Sequence, residues 1–221
     1  MKGKKRMRTW LVMISVIIVI CVTLYQPLIN YLSKQAANPT GIIGSIMTRI
    51  WSVSFRDMNE WSYSLMNLND EDVILDIGFG SGSGIQHMKG MNRKNTIYGV
   101  DISEEAVKTA STLNKEYIDS GEVILTVGDV AYLDFEDEFF NLVIAGQTHI
   151  YWDELEKGLS ECYRVLKERG TLFIACEIDK IEYHLPEYKN SEDFTNLLYE
   201  IGFSEINVKT HNNYIAFICN K

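Results

Sequence analysis

Apolar positions along this chain fall into two alternating kinds of run. Short blocks rich in β-branched and aromatic residues read as buried strands: Val73-Ile74-Leu75, then residues 96–100, 123–127, 139–146 and 171–176. Between them apolar residues recur at helical intervals. Ala106, Ala110, Leu113 and Tyr117 share one face of a helix expected from Glu104 to about Ser120, opened by Ser103 and stopped by Gly121. Leu155, Leu159, Cys162 and Leu166 give a second such stripe. A last helix is expected with Ser191 as its cap, Phe194, Leu197, Leu198 and Ile201 on its buried face, and Gly202 at its end. Residues 206–209 and 214–218 are two further strand-like runs. Their link, His211-Asn212-Asn213, is so short that they form an antiparallel hairpin, since a parallel pair needs a long crossover.

The front of the chain departs from this pattern. Lys2, Lys4, Lys5, Arg6 and Arg8 form a basic head, and no charge then appears from Trp10 to Tyr25. Extended to Ile29, that stretch approaches the roughly 20 residues that span a bilayer. The sequence therefore predicts a basic head at 1–9, a membrane anchor helix at 10–29, a linker and helical cap at 30–69, and the main domain at 70–221. A cleaved signal peptide fits less well, because Lys34-Gln35-Ala36-Ala37 lacks a small-x-small cleavage site. After a turn signal at residues 38–44, Met47, Ile50, Trp51, Phe55, Met58, Trp61, Leu65 and Met66 return at helical spacing. This is a helix packed on the domain, or one whose aromatic residues cap its site.

Charge and cysteine usage narrow the partners. The formal net charge is −9 although the head is basic, so the body is strongly acidic and repels phosphate backbones, which argues against a nucleic-acid partner. The head fixes topology or touches anionic lipid. The four cysteines form no C-x-x-C and share no metal-ligand spacing with the four histidines, so neither a disulfide framework nor a metal site is expected.

The chemistry centres on Asp76-Ile77-Gly78-Phe79-Gly80-Ser81-Gly82-Ser83-Gly84, between the first strand and a helix beginning near Ile85. Glycines there accept backbone angles closed to other residues and let a ligand approach the main chain and the free N–H groups of the helix. The dinucleotide pattern G-x-G-x-x-G fails: counted from Gly78 it meets Ser83, and from Gly80 it meets Ile85. A phosphate-loop pattern is absent too. Asp101 closes the second strand 25 residues after Asp76, where an acid accepts the ribose hydroxyls of an adenosine ligand, its two oxygens matching a vicinal diol.

The acid-x-Gly-x-Gly-x-Gly stretch resembles motif I of the class I S-adenosylmethionine-dependent methyltransferases. Tyr163-Arg164-Val165-Leu166-Lys167-Glu168-Arg169-Gly170 resembles that family's "RVLKPGG" turn, with Glu168-Arg169 in place of Pro-Gly, and the final hairpin resembles its reversed last strand. Pro39-x-Gly41-x-x-Gly44 followed by Met58-Asn59-x-Trp61 resembles the lead-in of small methyltransferases. Where the family commonly has an acid, Asn141 stands. The resemblance implies an α/β fold: a Rossmann-like, seven-stranded, mostly parallel sheet with a C-terminal antiparallel hairpin strand and helices on both faces, here with an N-terminal hydrophobic helix added.

It also implies S-adenosylmethionine as cofactor. Asp76, Gly78, Phe79, Gly80 and Gly82 would hold its amino-acid end, Asp101 and Ile102 its ribose side, Asp129 and Val130 its adenine, and Gln147 the edge facing the methyl. His149, beside Tyr151 and Trp152 at the strand end, becomes the candidate for contacting or deprotonating an acceptor, with Trp61, Tyr151 and Trp152 as substrate contacts. The reaction implied is in-line methyl transfer to a small acceptor, a lipophilic one being favoured by the anchor and the aromatic residues. A catalytically inactive membrane-tethered module and a nicotinamide oxidoreductase are the rivals. The expected localisation is membrane association through one transmembrane or interfacial segment. The charge asymmetry places the domain across the membrane, whereas cofactor supply favours the cytoplasmic side.

Overall fold

The computed structural model describes residues 23–32, 34, 35, 40, 41, 44, 46, 47, 50, 56–91 and 94–221. The chain divides into two units, Met1–Asn38 and Pro39–Lys221. In the first, residues 23–32 are helical, and the Gln26 side chain donates to Asn30 Oδ1 at 3.1 Å. Among the described residues no helix is long and apolar enough to cross a membrane. The expected membrane-associated localisation is corrected on this finding, and nothing described supports the bilayer as a partner: Gln26 and Pro27 interrupt the apolar run in the described part of the expected anchor. The basic head and the anchor up to residue 22 lie outside the described residues.

In the second unit, seven strands form one sheet: β1 (Val73–Ile77), β2 (Thr96–Asp101), β3 (Val123–Val127), β4 (Phe140–Gly146), β5 (Leu166–Glu177), β6 (Ser204–His211) and β7 (Tyr214–Asn220). Their order is β3-β2-β1-β4-β5-β7-β6. The first five run parallel, and β7 lies antiparallel between β5 and β6. The chain winds outward from β1 to β3 and then returns to β4, so the strand order reverses between β1 and β4. Ligands of open α/β sheets bind outside the carboxyl ends of the strands at such a reversal.

Alternating strand residues feed two cores, as the two-residue period of a strand requires. On one face Leu75, Ile77, Val143, Ala145, Leu172, Ile174 and Cys176 pack against α5 (Leu155–Val165), α6 (Ile178–His184) and α7 (Ser191–Ile201). On the other, Ile74, Leu142, Ile144, Phe173 and Ala175 meet α2 (Ser83–Gly90) and α3 (Glu104–Leu113), with Trp61 and Tyr63 of α1 (Arg56–Leu65) packed alongside. Phe140, Phe173 and Phe217 are fully buried; each such side chain contributes roughly 1.5–3 kcal/mol by leaving water.

Three local expectations are corrected. The helix from Glu104 to Ser120 is two, because Asn114 ends α3 and turns its side-chain amide to the carbonyls of Gly82 and Ala110, both at 3.0 Å, before α4 (Lys115–Asp119) begins. The turn expected at residues 163–170 is drawn into β5, which starts at Leu166. Without Pro-Gly the backbone stays extended except at Arg169 (φ 64°), and a bulge falls between Phe140 and Leu142. Asn190, not Ser191, caps α7, accepting the Glu192 N–H. The Asn141 substitution is absorbed locally, its Oδ1 accepting from Val73 N–H and Lys167 Nζ, each at 3.0 Å. Of the expected helical cap, α1 is the continuous described helix; residues 51–55 lie outside the described residues.

Candidate active site

The glycine turn leaves β1 with three left-handed positions, Gly78 (φ 67°), Gly80 (φ 55°) and Gly82 (φ 75°). They serve different ends. A Cβ on Gly78 would overlap the Thr148 hydroxyl, so this glycine lets the loop after β4 close onto the turn. A Cβ on Gly82 would meet Ala110 Cβ and Asn114 Nδ2, both at 2.6 Å, so its lack of a side chain lets α3 pack. The Gly80 N–H donates to Asp101 Oδ2 at 2.9 Å, and the Ser103 N–H to Asp101 Oδ1 at 2.9 Å. Two backbone donors thus fix the Asp101 carboxylate at the end of β2, while each oxygen keeps a further lone pair for a ligand hydroxyl. Ser103 caps α3 through the Ala106 N–H, as its sequence position predicts.

Asp76, the last residue but one of β1, stands beside this group and is 8% exposed. Burial, and then the Asp101 carboxylate, push its pKa up to about 7. Burial likewise raises Asp101, against the two backbone hydrogen bonds that lower it. Among the described residues no donor reaches the Asp76 carboxyl and no cation pairs with either acid. Leaving buried acids unpaired costs free energy, so a ligand that brings positive charge and a diol complements the pair. S-adenosylmethionine carries an ammonium, a sulfonium and a ribose, and so fits the residues present.

Other expected residues sit differently. The Phe79 ring is buried against Gly99, so Phe79 offers a ligand only its backbone. Ile102 follows Asp101 with its apolar side chain 50% exposed. Asp129 is exposed and caps the 3-10 turn Val130–Tyr132 through the Ala131 N–H, while Val130 is buried. Gln147, left-handed at φ 57°, donates to Glu177 Oε2 (3.1 Å) and accepts the Glu177 N–H (2.8 Å), joining the ends of β4 and β5.

His149 is a correction. It is 1% exposed beneath Phe194 and Trp152, neither ring nitrogen has a hydrogen-bond partner among the described residues, and burial lowers its pKa to about 3. A neutral, enclosed imidazole does not reach the mouth of the cleft. Trp152 is half-buried, and one edge of its ring packs on α5, where a Cβ on Gly158 would meet it. Trp61 does reach the carboxyl edge, with its ring centroid 6.0 Å from both His211 and Tyr214 at the hairpin turn. Tyr151 lies edge-on to His184 at 4.8 Å.

Residues that sequence reasoning missed complete the site. Tyr63 of α1 stacks on His87, and its hydroxyl would lie 2.6 Å from a Cβ on Gly84, at the mouth of the turn. Burial raises this phenol, and the Asp76 carboxylate adds to the effect. Glu177 stands at the end of β5. The signal that could have found it is the rule already applied to Asp101, an acid on the last residue of a parallel strand.

A sequence profile for a methyltransferase domain matches residues 75–174. A Methanococcus maripaludis protein described as a probable cobalt-precorrin-6B C(15)-methyltransferase (decarboxylating) is 31% identical over 66% of this chain and 73% of its own length. The Plasmodium falciparum phosphoethanolamine N-methyltransferase is 26% identical over 61% of this chain and 52% of its own. Among solved structures, Haemonchus contortus phosphoethanolamine N-methyltransferase 2 in complex with S-adenosyl-L-methionine superposes with a TM-score of 0.64 at 18% identity, over 75% of this chain and 52% of that one.

Proposed function

Because the chain belongs to the S-adenosylmethionine-dependent methyltransferases, we propose that it moves the methyl group to a small-molecule acceptor entering at the β4–β5 end of the sheet. When bound, S-adenosylmethionine supplies a methyl already activated by positive sulfur, which an acceptor atom displaces in line. The chain's own task is then chiefly to position and to exclude water. Asp101, fixed by Gly80 and Ser103, accepts the ribose hydroxyls. Asp76 meets the ammonium directly or through water, with Gly78 and Gly80 passing the amino-acid end along the backbone and Tyr63 covering it. Ile102 lies against one face of the adenine, and Asp129 and the Val130 N–H meet its edge. Trp61 and Tyr151 line the acceptor side, and Gln147 acts by holding Glu177 rather than by touching the cofactor.

The observation that carries this reading is the buried acid pair at the strand reversal, which no cation among the described residues neutralises. Relatives named for N-methylation of phosphoethanolamine and for C(15)-methylation of a cobalt-precorrin do not select one acceptor. The lipophilic acceptor expected from the anchor loses that support and is not part of this reading. The full chain incubated with methyl-labelled S-adenosylmethionine and a small-molecule extract, followed by mass spectrometry, tests the proposal. Label in one small molecule with an equal amount of S-adenosylhomocysteine supports it; bound donor with no labelled product contradicts it.

A further inference from the structure

Along the carboxyl edge of the sheet stand Asp101 at the end of β2, Asp76 one residue before the end of β1, Gln147 one residue past β4, Glu177 at the end of β5 and Tyr214 at the start of β7. Asp101 and Asp76 are committed to the donor. Glu177 stands two strands beyond Asp76 and, because Asp76 pairs with Ile144 and Ile144 with Phe173, four residues further along, roughly 16 Å away at the usual strand spacing and rise, on the acceptor's side. Its Oε2 is oriented by Gln147, and its Oε1 accepts no hydrogen bond among the described residues. Tyr214 is its direct cross-strand partner, so the two side chains share one sheet face. Phe173 and Ala175 place that face under α1, whose Trp61 packs on Tyr214 at 6.0 Å. The Tyr151 phenol is pushed up to about 12 by burial, with Cys176 and the Glu177 carboxylate adding to it, so its hydroxyl also lies in the field of this acid. Asp179 is turned aside by Asn213 at 2.8 Å, and Lys180 is near but forms no ion pair with Glu177 among the described residues.

A half-buried carboxylate beside aromatic faces is the arrangement that recognises an amine, which offers N–H donors to the acid and positive charge to the rings. We infer that the acceptor is an amine, bound as its ammonium with Glu177 as counter-ion and Trp61 and Tyr214 against its substituents. This rests on the methyltransferase reading above. Before attack the ammonium gives one proton to the Glu177 carboxylate, an N–H bond breaking and an O–H forming. The freed lone pair then makes the C–N bond as the S–CH3 bond breaks, its electron pair staying on sulfur. The methylated nitrogen leaves as a cation, and the Glu177 proton passes to water.

Calorimetry on the full chain saturated with S-adenosylhomocysteine tests the assignment, with benzylammonium and benzyl alcohol as probes and Glu177→Gln as the variant. The expected result is that benzylammonium binds about tenfold or more tighter than the alcohol, that the variant binds the two within about twofold, and that its affinity for S-adenosylhomocysteine matches the parent's. Equal binding of amine and alcohol by the parent, or an amine preference surviving in the variant, overturns the inference. Failure of the parent to bind S-adenosylhomocysteine would instead strike the methyltransferase reading itself.

Discussion

Burial and the neighbouring Asp101 hold the Asp76 carboxyl protonated up to about pH 7, against an ordinary value of 3.8. The folded chain therefore binds more protons than the unfolded one between those limits, and stability falls as pH rises through that window and levels off above it. Asp76→Asn is expected to flatten this slope, by an amount on the order of 4 kcal/mol across the window, measured by denaturant unfolding at a series of pH values. Because the cofactor's ammonium requires the ionised acid, its affinity is expected to rise about tenfold per unit from pH 5.5 to 7. A flat profile in titration calorimetry would remove Asp76 from the ammonium's partners. His149 makes no side-chain hydrogen bond among the described residues and packs on Phe194, so His149→Phe is expected to keep turnover within about twofold and to hold or gain stability, since it removes unsatisfied polar atoms. A loss of a hundredfold in kcat at unchanged stability would restore it as a base.

At the scale of elements, the strands, the hairpin and the α3 cap were readable because each depends on local periodicity or one turn. The break at Asn114 was not, because it follows from a side chain reaching the Gly82 carbonyl on another element. The same contact adds to the reading of the glycine turn: the lack of a side chain at Gly82 is required by the packing of α3. Gly82→Ala is expected to destabilise by about 2–4 kcal/mol, from the left-handed strain and the overlap with Ala110 and Asn114, with a thermal melt as the measurement. The site was legible in the same uneven way. Asp76 and Asp101 fall on strand ends fixed by sequence spacing, whereas Tyr63 and Glu177 take their roles from how α1 and β7 cross the sheet, which spacing alone does not encode. His149 was misplaced because adjacency to Tyr151 does not fix direction in a single 3-10 turn (His149–Tyr151).

At the scale of the whole molecule, the proposed reading sets donor and acceptor side by side on the sheet: β1 and β2, which carry Asp76 and Asp101, would hold the cofactor, and β4, β5 and β7 would face the acceptor. Asp76 and Asp101 have no cationic partner among the described residues of a chain with net charge −9, so on the proposed reading a cationic ligand complements them and its binding couples to folding. Saturating S-adenosylhomocysteine at 100 times its Kd is expected to add about 2.7 kcal/mol of stability, seen as a raised Tm that Asp101→Ala at the same ligand concentration largely loses. The most direct measurement is titration calorimetry of the full chain and of Asp101→Ala with S-adenosylmethionine at pH 7.5. Saturable one-to-one binding by the parent, weakened about tenfold or more in the variant, is the predicted result; no binding by the parent, or equal affinity in the two, would contradict it.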